Sequence, residues 1–296
     1  MKGTLTISID LELAWGVWDT LTPEHLRLAE EAERPISAAL IALFDRHDIP
    51  ATWAMVAALL DEKSAQGRPG SEAAWYAPDI IERLVHAKTR HEIGTHSGRH
   101  VYFDRISATE AADDLGFARD IHEKNDLVFT SMVFPRNAVA HLHQLNRLGL
   151  RVFRGPDTDW ATALRGVSEP LGQAANLADK ALPLQPPVVE ARTVDGMVDV
   201  PGSMLLIGRN GLRRLVFPAV TRAKLKRGLT RAQKSGGIFH FWFHPSNFYY
   251  RREEQLATLD WFLGHAANEA GNGCIEIRTL GSYAPSGMCR THRAAS

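Results

Sequence analysis

The chain has 296 residues, 45% of them hydrophobic and 23% charged, an ordinary globular composition that excludes a disordered or fibrous protein. Its 34 Lys and Arg residues balance 34 Asp and Glu residues, which argues against a nucleic-acid-coating protein, and we expect no nucleic-acid partner. Its two cysteines, Cys274 and Cys289, form no C-x-x-C pair, so neither a disulfide framework nor a cysteine zinc site is expected.

The sequence also bears on location. Asp10 and Glu12 occur before the apolar region of a signal peptide could form. The longest nearly apolar stretch, residues 51–60, is far shorter than the roughly 20 residues that a membrane-spanning helix needs. We therefore expect a cytoplasmic, soluble protein.

Apolar, β-rich runs alternate with helix-like segments along almost the whole chain. The capping-box pair Ser107 and Glu110 marks one helix start, and Pro201-Gly202 interrupts one strand region. This alternation favours one α/β domain with a parallel sheet or barrel. In chain order the pattern predicts strand 5–9, helix 36–46, strand 51–56, helix 78–87, strand 91–96, helix 107–125, strand 128–134, helix 141–148, strand 151–154, strand residues within 197–206, helix 219–234, strand 238–244 and helix 251–267.

The domain boundaries follow from the same pattern. We expect one domain over residues 1–284, with an irregular, proline-containing insertion at 167–194 and a basic segment at 200–252. Residues 285–296 read as a flexible tail.

Three groups of polar residues follow predicted strands, where parallel α/β folds bind their ligands. Asp10 and Glu12 end the first strand and, two residues apart, project to the same side. His96 and His100 share one face if the segment turns helical, and such a pair with a carboxylate is a common catalytic zinc set. In the last aromatic strand, His244 stands at the carboxyl end. The other histidine of that strand, His240, suits a hydrogen-bonded core position better.

Together these motifs resemble the polysaccharide deacetylase (NodB-homology) family of metal-dependent carbohydrate esterases, over roughly residues 5–280. The family resemblance implies a distorted (β/α)7-type barrel. The matching stretches are Ser-Ile-Asp-Leu-Glu at 8–12, His-Ser-Gly-Arg-His at 96–100, Phe-Pro-Arg-Asn at 134–137, Asp-Thr-Asp-Trp at 157–160 and the strand that ends at His244.

The resemblance implies residue roles. Glu12, His96 and His100 would hold a divalent metal, expected to be Zn²⁺, although Asp10 could bind it directly instead. Asp10 would be the base, kept ionised by Arg136, and His244 the acid, its pKa raised by Asp159. Asn137 would line one wall of the site, and tryptophans would stack on sugar rings. The candidates are Trp15, Trp18, Trp160 and Trp242.

The sequence departs from the family pattern in three motifs. The second acid of the first motif is Glu12, one residue further on than the usual aspartate. The third motif lacks the usual proline-aromatic-glycine run after its arginine, and the fourth is shortened. These departures bear more on the substrate than on the fold.

The charge distribution suggests an anionic substrate. Residues 200–252 contain eleven Lys and Arg and no Asp or Glu, and part of this basic segment is amphipathic. We expect an N-deacetylase acting on a nucleotide- or lipid-linked amino sugar of glycan biosynthesis, with peripheral membrane contact through residues 209–234. The alternatives are a hydrolase of small cyclic amides or ureides on the same fold, and a catalytically inactive carbohydrate-binding protein.

Overall fold

The computed structural model of the chain describes residues 2–157, 182 and 184–285. Within these residues ten strands form one sheet, and all pairings in it are parallel except β6 with β7. The strands are β1 (Gly3–Leu11), β2 (Thr52–Met55), β3 (Glu92–Thr95), β4 (Ser131–Val133), β5 (Val152–Arg154), β6 (Arg192–Val194), β7 (Met197–Asp199), β8 (Met204–Leu205), β9 (Ile238–Phe243) and β10 (Ile275–Arg278).

The sheet curves into an incomplete barrel. The strand order is β6-β7-β5-β4-β3-β2-β1-β9-β8, and β10 pairs with the first half of β1. The segment between β7 and β8 forms hydrogen bonds to both sides of the sheet, near β5 and near β9. Gly202 N–H donates to Gly155 O at 3.1 Å, beyond β5, and Ser203 N–H donates to His240 O at 2.9 Å, on β9. The carboxyl ends of β1, β3, β5 and β9 are thereby brought to one rim.

Helices cover the outside of the sheet. Several begin at prolines or capping residues: Thr22 and Ser107 accept hydrogen bonds from the first turn of their helices, and Ser107 forms the predicted capping box with Glu110. The helices are α1 (Pro23–Glu31), α2 (Glu33–His47), α3 (Glu62–Ala65), α4 (Pro78–Val85), α5 (Ala108–Lys124), α6 (Leu142–Arg147), α7 (Pro218–Ser235) and α8 (Arg252–Gly271).

The central strands divide their side chains between helices and barrel interior. On β9 the rings of Phe239 and Phe241 pack on Phe262 of α8, with centroids 6.4 and 5.5 Å away. His240 and Trp242 point the other way, into the barrel. The alternation predicted for this strand is confirmed, and it places His244, the next inward residue, at the rim.

Every strand and helix predicted from the sequence is present. The pattern missed α1, α3, β6 and β10. β6 lies in the last residues of the predicted irregular insertion. Residues 167–181 and 183 of that insertion, and residues 286–296 of the predicted tail, lie outside the described residues. In the part of the chain that the structure describes, no helix combines the length and apolar character needed to cross a bilayer.

Candidate active site

Two histidines and one carboxylate converge at the rim of the barrel. Glu12 follows β1, and its Oε1 lies 2.8 Å from His96 Nε2 and 3.1 Å from His100 Nε2. Both imidazoles are buried, with ring centroids 5.1 Å apart. The ligand-type atoms of these three residues lie within 4.8 Å of one another. Two imidazole nitrogens and one carboxylate are a known set for catalytic zinc, with positions left for water and substrate.

The hydrogen bonding of His96 calls for a cation at this point. Its Nδ1 lies 2.8 Å from Val133 O, and because a carbonyl oxygen only accepts, Nδ1 carries the proton. In the neutral ring the Nε2 lone pair then faces a carboxylate oxygen of Glu12 at 2.8 Å. Two facing lone pairs repel unless a second proton or a metal ion lies with them. The donor set therefore fits a divalent metal, and the Val133 carbonyl orients the ligand as outer partners of zinc histidines do.

Electrostatics keep Glu12 charged. Burial alone would raise the pKa of Glu12, but the imidazoles of His244 and His100 hold the pKa well below its ordinary value of 4.5. Its carboxylate packs on Gly16, where an added Cβ would overlap Oε2, so a larger residue at that position would displace the Glu12 carboxylate. An ionised carboxylate is the form that a metal ligand requires.

A bend, rather than the helical turn expected from the spacing, brings His96 and His100 together. Residues 96–100 contain no helix, and that expectation is wrong. Asp114 of α5 holds the bend by accepting from Gly98 N–H at 2.7 Å and Arg99 N–H at 2.9 Å. Backbone N–H groups that a helix would pair internally are satisfied here by a buried carboxylate.

The loops at this rim adopt backbone conformations that non-glycine residues rarely take. Leu13, next to Glu12, has φ 49°, and Ser97 and His100 have φ 71° and 57°. Arg136 and Asn137 both have φ 55°. Left-handed conformations of this kind cluster at functional sites, where surrounding contacts impose them.

Asp10 is paired with Arg154, not with Arg136 as the resemblance implied. Arg154 Nη1 donates to Asp10 Oδ1 and Nη2 to Oδ2, both at 2.7 Å, with both side chains buried. Burial alone would raise the pKa of Asp10, but Arg154, followed by His244 and His96, brings the pKa below 3.8. Arg136 lies half exposed at the rim, where it donates to Gly16 O and Asp19 Oδ1.

A buried chain of hydrogen bonds extends behind this pair. Arg154 Nη1 also donates to Ser8 Oγ at 3.0 Å, and Ser8 Oγ lies 3.0 Å from His240 Nε2. His240 Nδ1 lies 3.1 Å from the Val200 carbonyl and so carries the proton, which leaves Nε2 to accept from Ser8. Burial lowers the pKa of His240 to about 3, so the ring is neutral, as the chain requires. The core position predicted for His240 is confirmed.

His244 stands across the site from the two histidines. Its Nε2 lies 3.6 Å from both Asp10 Oδ2 and Glu12 Oε1, and its backbone N–H donates to Asn247 Oδ1 at 2.8 Å. Burial alone would lower the pKa of His244, but Glu12 and then Asp10 raise it to about 9. The imidazole is therefore protonated near neutral pH and points its Nε2–H into the site.

The aromatic candidates separate into core and rim. Trp15 is fully buried, donates to Trp75 O at 2.9 Å and packs edge-on against the Trp75 ring, so its assignment as a sugar-stacking residue is wrong. Trp18 is 44% exposed, and its indole N–H donates to His100 O at 3.2 Å. Trp242 is buried against the Arg154 guanidinium, 4.0 Å from ring centroid to Cζ. Of the candidate tryptophans that the structure describes, Trp18 is the accessible one, and Trp242, like Trp15, is too buried to stack on a sugar ring.

Of the three remaining candidates, the structure describes Asn137. Asn137 Oδ1 is 3.4 Å from Arg154 Nη2, beside the Asp10 pair. Asp159 and Trp160 lie outside the described residues. Asp157, two residues before Asp159, accepts from Trp242 Nε1 at 2.8 Å.

Arg154 is the functional residue that sequence reasoning missed. It ends a predicted strand, and a charged side chain at the carboxyl end of a parallel strand was the available signal. Ser8 was missed because a serine inside a buried strand is ordinary. Only the neighbouring strands show that it links Arg154 to His240.

Comparison with known proteins places these observations in context. Residues 30–153 match a family model described as polysaccharide deacetylase. A search of curated protein sequences gives no match.

Solved structures share the fold. A protein of Mycobacterium smegmatis assigned as a polysaccharide deacetylase is 13% identical, with a TM-score of 0.64 over 90% of this chain and 84% of that one. One of Pseudomonas aeruginosa PAO1 is 15% identical, with a TM-score of 0.60 over 90% and 85%. PuuE allantoinase is 14% identical, with a TM-score of 0.61 over 90% and 84%. The predicted barrel-like α/β fold in one domain is thus confirmed.

Proposed function

We propose that the chain is a member of the polysaccharide deacetylase family and, from that premise, that it is a metal-dependent hydrolase that removes an N-acyl group, acetyl in the first instance, from an amino sugar. One observation carries the proposal. Glu12, His96 and His100 face the same space as Asp10 and His244, so a metal set, a base and an acid meet at one point.

Metal binding is assigned to Glu12, His96 and His100. Asp10 is a poorer ligand, because Arg154 already donates to both of its carboxylate oxygens. Bound Zn²⁺ would supply Lewis-acid polarisation of the acyl carbonyl and activate water for attack at neutral pH.

Asp10 takes the proton of the attacking water. Its depressed pKa keeps it ionised, and Arg154 fixes the plane of the carboxylate through two hydrogen bonds. Water adds to the acyl carbon, the C–N bond breaks, and the products are a carboxylic acid and a free amine. The arginine holds the base but contacts no reacting atom.

His244 gives its proton to the departing amine. Its raised pKa makes the imidazolium available at neutral pH, and Nε2 points toward the space between Asp10 and Glu12. Asn247 holds the backbone of His244 in position. A base and an acid with pKa values displaced in opposite directions suit amide hydrolysis.

The substrate is assigned as a nucleotide- or lipid-linked amino sugar handled in the cytoplasm. Two features at the rim support an anionic sugar as substrate. The exposed ring of Trp18 could contact the sugar, and the half-exposed guanidinium of Arg136, which pairs with Asp19, the residue after Trp18, could contact the anionic group. The acid-free stretch of residues 200–252, with eleven Lys and Arg, is a further source of positive charge for an anionic partner.

Amine release tests the proposal. The purified protein, supplied with Zn²⁺, is assayed with acetamido sugars in free, nucleotide-linked and lipid-linked form, and in parallel for ring opening of cyclic amides. We expect amine release from an acetamido sugar, reduced about 10²–10⁴-fold in Asp10→Asn, since a general base contributes that much. Asp104→Asn, which alters an exposed carboxylate, is the matched control.

Each alternative has its own result in this assay. Ring opening without amine release would move the protein to the cyclic amide hydrolases, a class favoured by the Glu12 spacing and by the fold of PuuE allantoinase. Sugar binding without bound metal or turnover would make it an inactive carbohydrate-binding protein.

A further inference from the structure

Three large apolar side chains lie exposed on the short segment between β8 and α7. Leu212 and Leu215 are 68% exposed and Phe217 is 73% exposed. Arg213 and Arg214, between the two leucines, are exposed as well. We name residues 211–217 the rim segment. Apolar side chains clustered in this way on a surface are a mark of an interaction site.

The rim segment is anchored at both ends. Before it, Leu206 N–H donates to Trp242 O at 2.9 Å, and the buried Arg209 donates to Gln255 Oε1 at 3.3 Å. Near its other end, Val216 is buried between the exposed Leu215 and Phe217. The exposed residues are therefore presented from a fixed base.

The base of the rim segment is next to the candidate active site. Gly208 packs on Asn247, where an added Cβ would lie 3.6 Å from Asn247 Cα. Asn247 in turn accepts from the backbone N–H of His244. A surface that contacts the rim segment would thus lie beside the mouth of the site.

The charge around the rim segment indicates what it contacts. All eleven charged residues of 200–252 are cationic, although the whole chain is neutral. Exposed cations occur along much of residues 209–234, but the exposed large apolar side chains of that stretch all lie in 211–217, so we place the predicted membrane contact there. Leucine and phenylalanine beside arginine suit the interface of an anionic bilayer, where apolar side chains enter the acyl boundary and cations meet phosphates.

We propose that the rim segment docks the protein onto an anionic lipid surface, with Leu212, Leu215 and Phe217 inserted and Arg213 and Arg214 on lipid phosphates. The proposal rests on the proposed function in one respect: docking would bring the site to a lipid-linked amino sugar. The contact itself requires no catalysis.

Vesicle sedimentation tests the docking. The full chain is mixed with vesicles of phosphatidylcholine alone or with about one third phosphatidylglycerol. We expect binding to the anionic vesicles, weakened by salt. The variant L212S/L215S/F217S should bind at least about tenfold more weakly, and R213Q/R214Q roughly tenfold more weakly. The matched control V85S/V128S removes two exposed valines elsewhere and should bind as the wild type does.

Three results would overturn the docking: no binding of the wild type to anionic vesicles at low salt, undiminished binding of both rim variants, or preferential binding of an oligonucleotide that excludes vesicles. Amine release from a soluble acetamido sugar separates this failure from failure of the proposed function, because the rim variants should retain it. Vesicle binding without any amine release would support the membrane contact and contradict the proposed deacetylase activity.

Discussion

Replacing Arg154 by glutamine tests which arginine serves the candidate base. The change removes two charge-assisted hydrogen bonds of 2.7 Å from a carboxylate that is buried with its partner. Removing one member of such a buried pair costs about 3–5 kcal/mol of folding free energy. Loss of an adjacent cation also raises a carboxylate pKa by about 1–3 units.

The expected kinetic result is a displaced pH profile. The acid limb of kcat/KM should move up by about 1–3 pH units in Arg154→Gln, because Asp10 then stays protonated to higher pH. Arg154→Lys keeps the charge but loses the two-pronged geometry, so its limb should move less. Thermal unfolding of each variant shows whether the fold is retained at the assay temperature.

Arg136→Gln is the control. Arg136 is the residue that the family resemblance placed beside the base, yet it contacts Asp19 and Gly16 instead. Its variant should keep the wild-type acid limb and change only KM. A shifted limb in Arg136→Gln with an unshifted one in Arg154→Gln and Arg154→Lys would refute the assignment of Arg154.

Two further predictions concern stability and the rim. Burial lowers the pKa of His122 to about 4 and that of His240 to about 3, so below pH 6.5 the unfolded chain binds protons that the fold excludes. Each should remove up to about 1.4 kcal/mol of stability per pH unit. Denaturant unfolding at several pH values checks this, and His122→Phe should lessen the slope; a stability unchanged from pH 7.5 to pH 5 would contradict it. Trp18→Ala should raise KM about tenfold and spare kcat, since burying roughly 50 Å² of apolar surface between a sugar ring and the indole is worth ~1.3 kcal/mol; an unchanged KM would exclude Trp18 from the sugar subsite.

The parts of the fold that were predictable are those governed by local pattern. β9 alternates phenylalanine with histidine or tryptophan, and that period of two fixes which face meets the helices. Ser107 and Glu110 satisfy each other's backbone N–H groups over three residues, so the start of α5 can be read without tertiary contacts.

The parts that were missed depend on distant partners. β10 alternates apolar and charged residues over only four positions, Ile275 to Arg278, which is too short a pattern to stand out in the sequence, and it is a strand because β1 pairs with it. The bend at 96–100 depends on Asp114, and the partner of Asp10 depends on which strands are adjacent. Trp15 and Trp18 look alike in sequence, and only packing against Trp75 makes one core and the other accessible.

Metal content is the most direct test of the central claim, that Glu12, His96 and His100 bind one catalytic ion. Elemental analysis of protein purified without chelator should find about one equivalent of zinc in the wild type and in Asp10→Asn. Little or none should remain in His96→Ala or His100→Ala. Equal zinc in the wild type and both histidine variants, or loss of zinc in Asp10→Asn alone, would contradict the assignment.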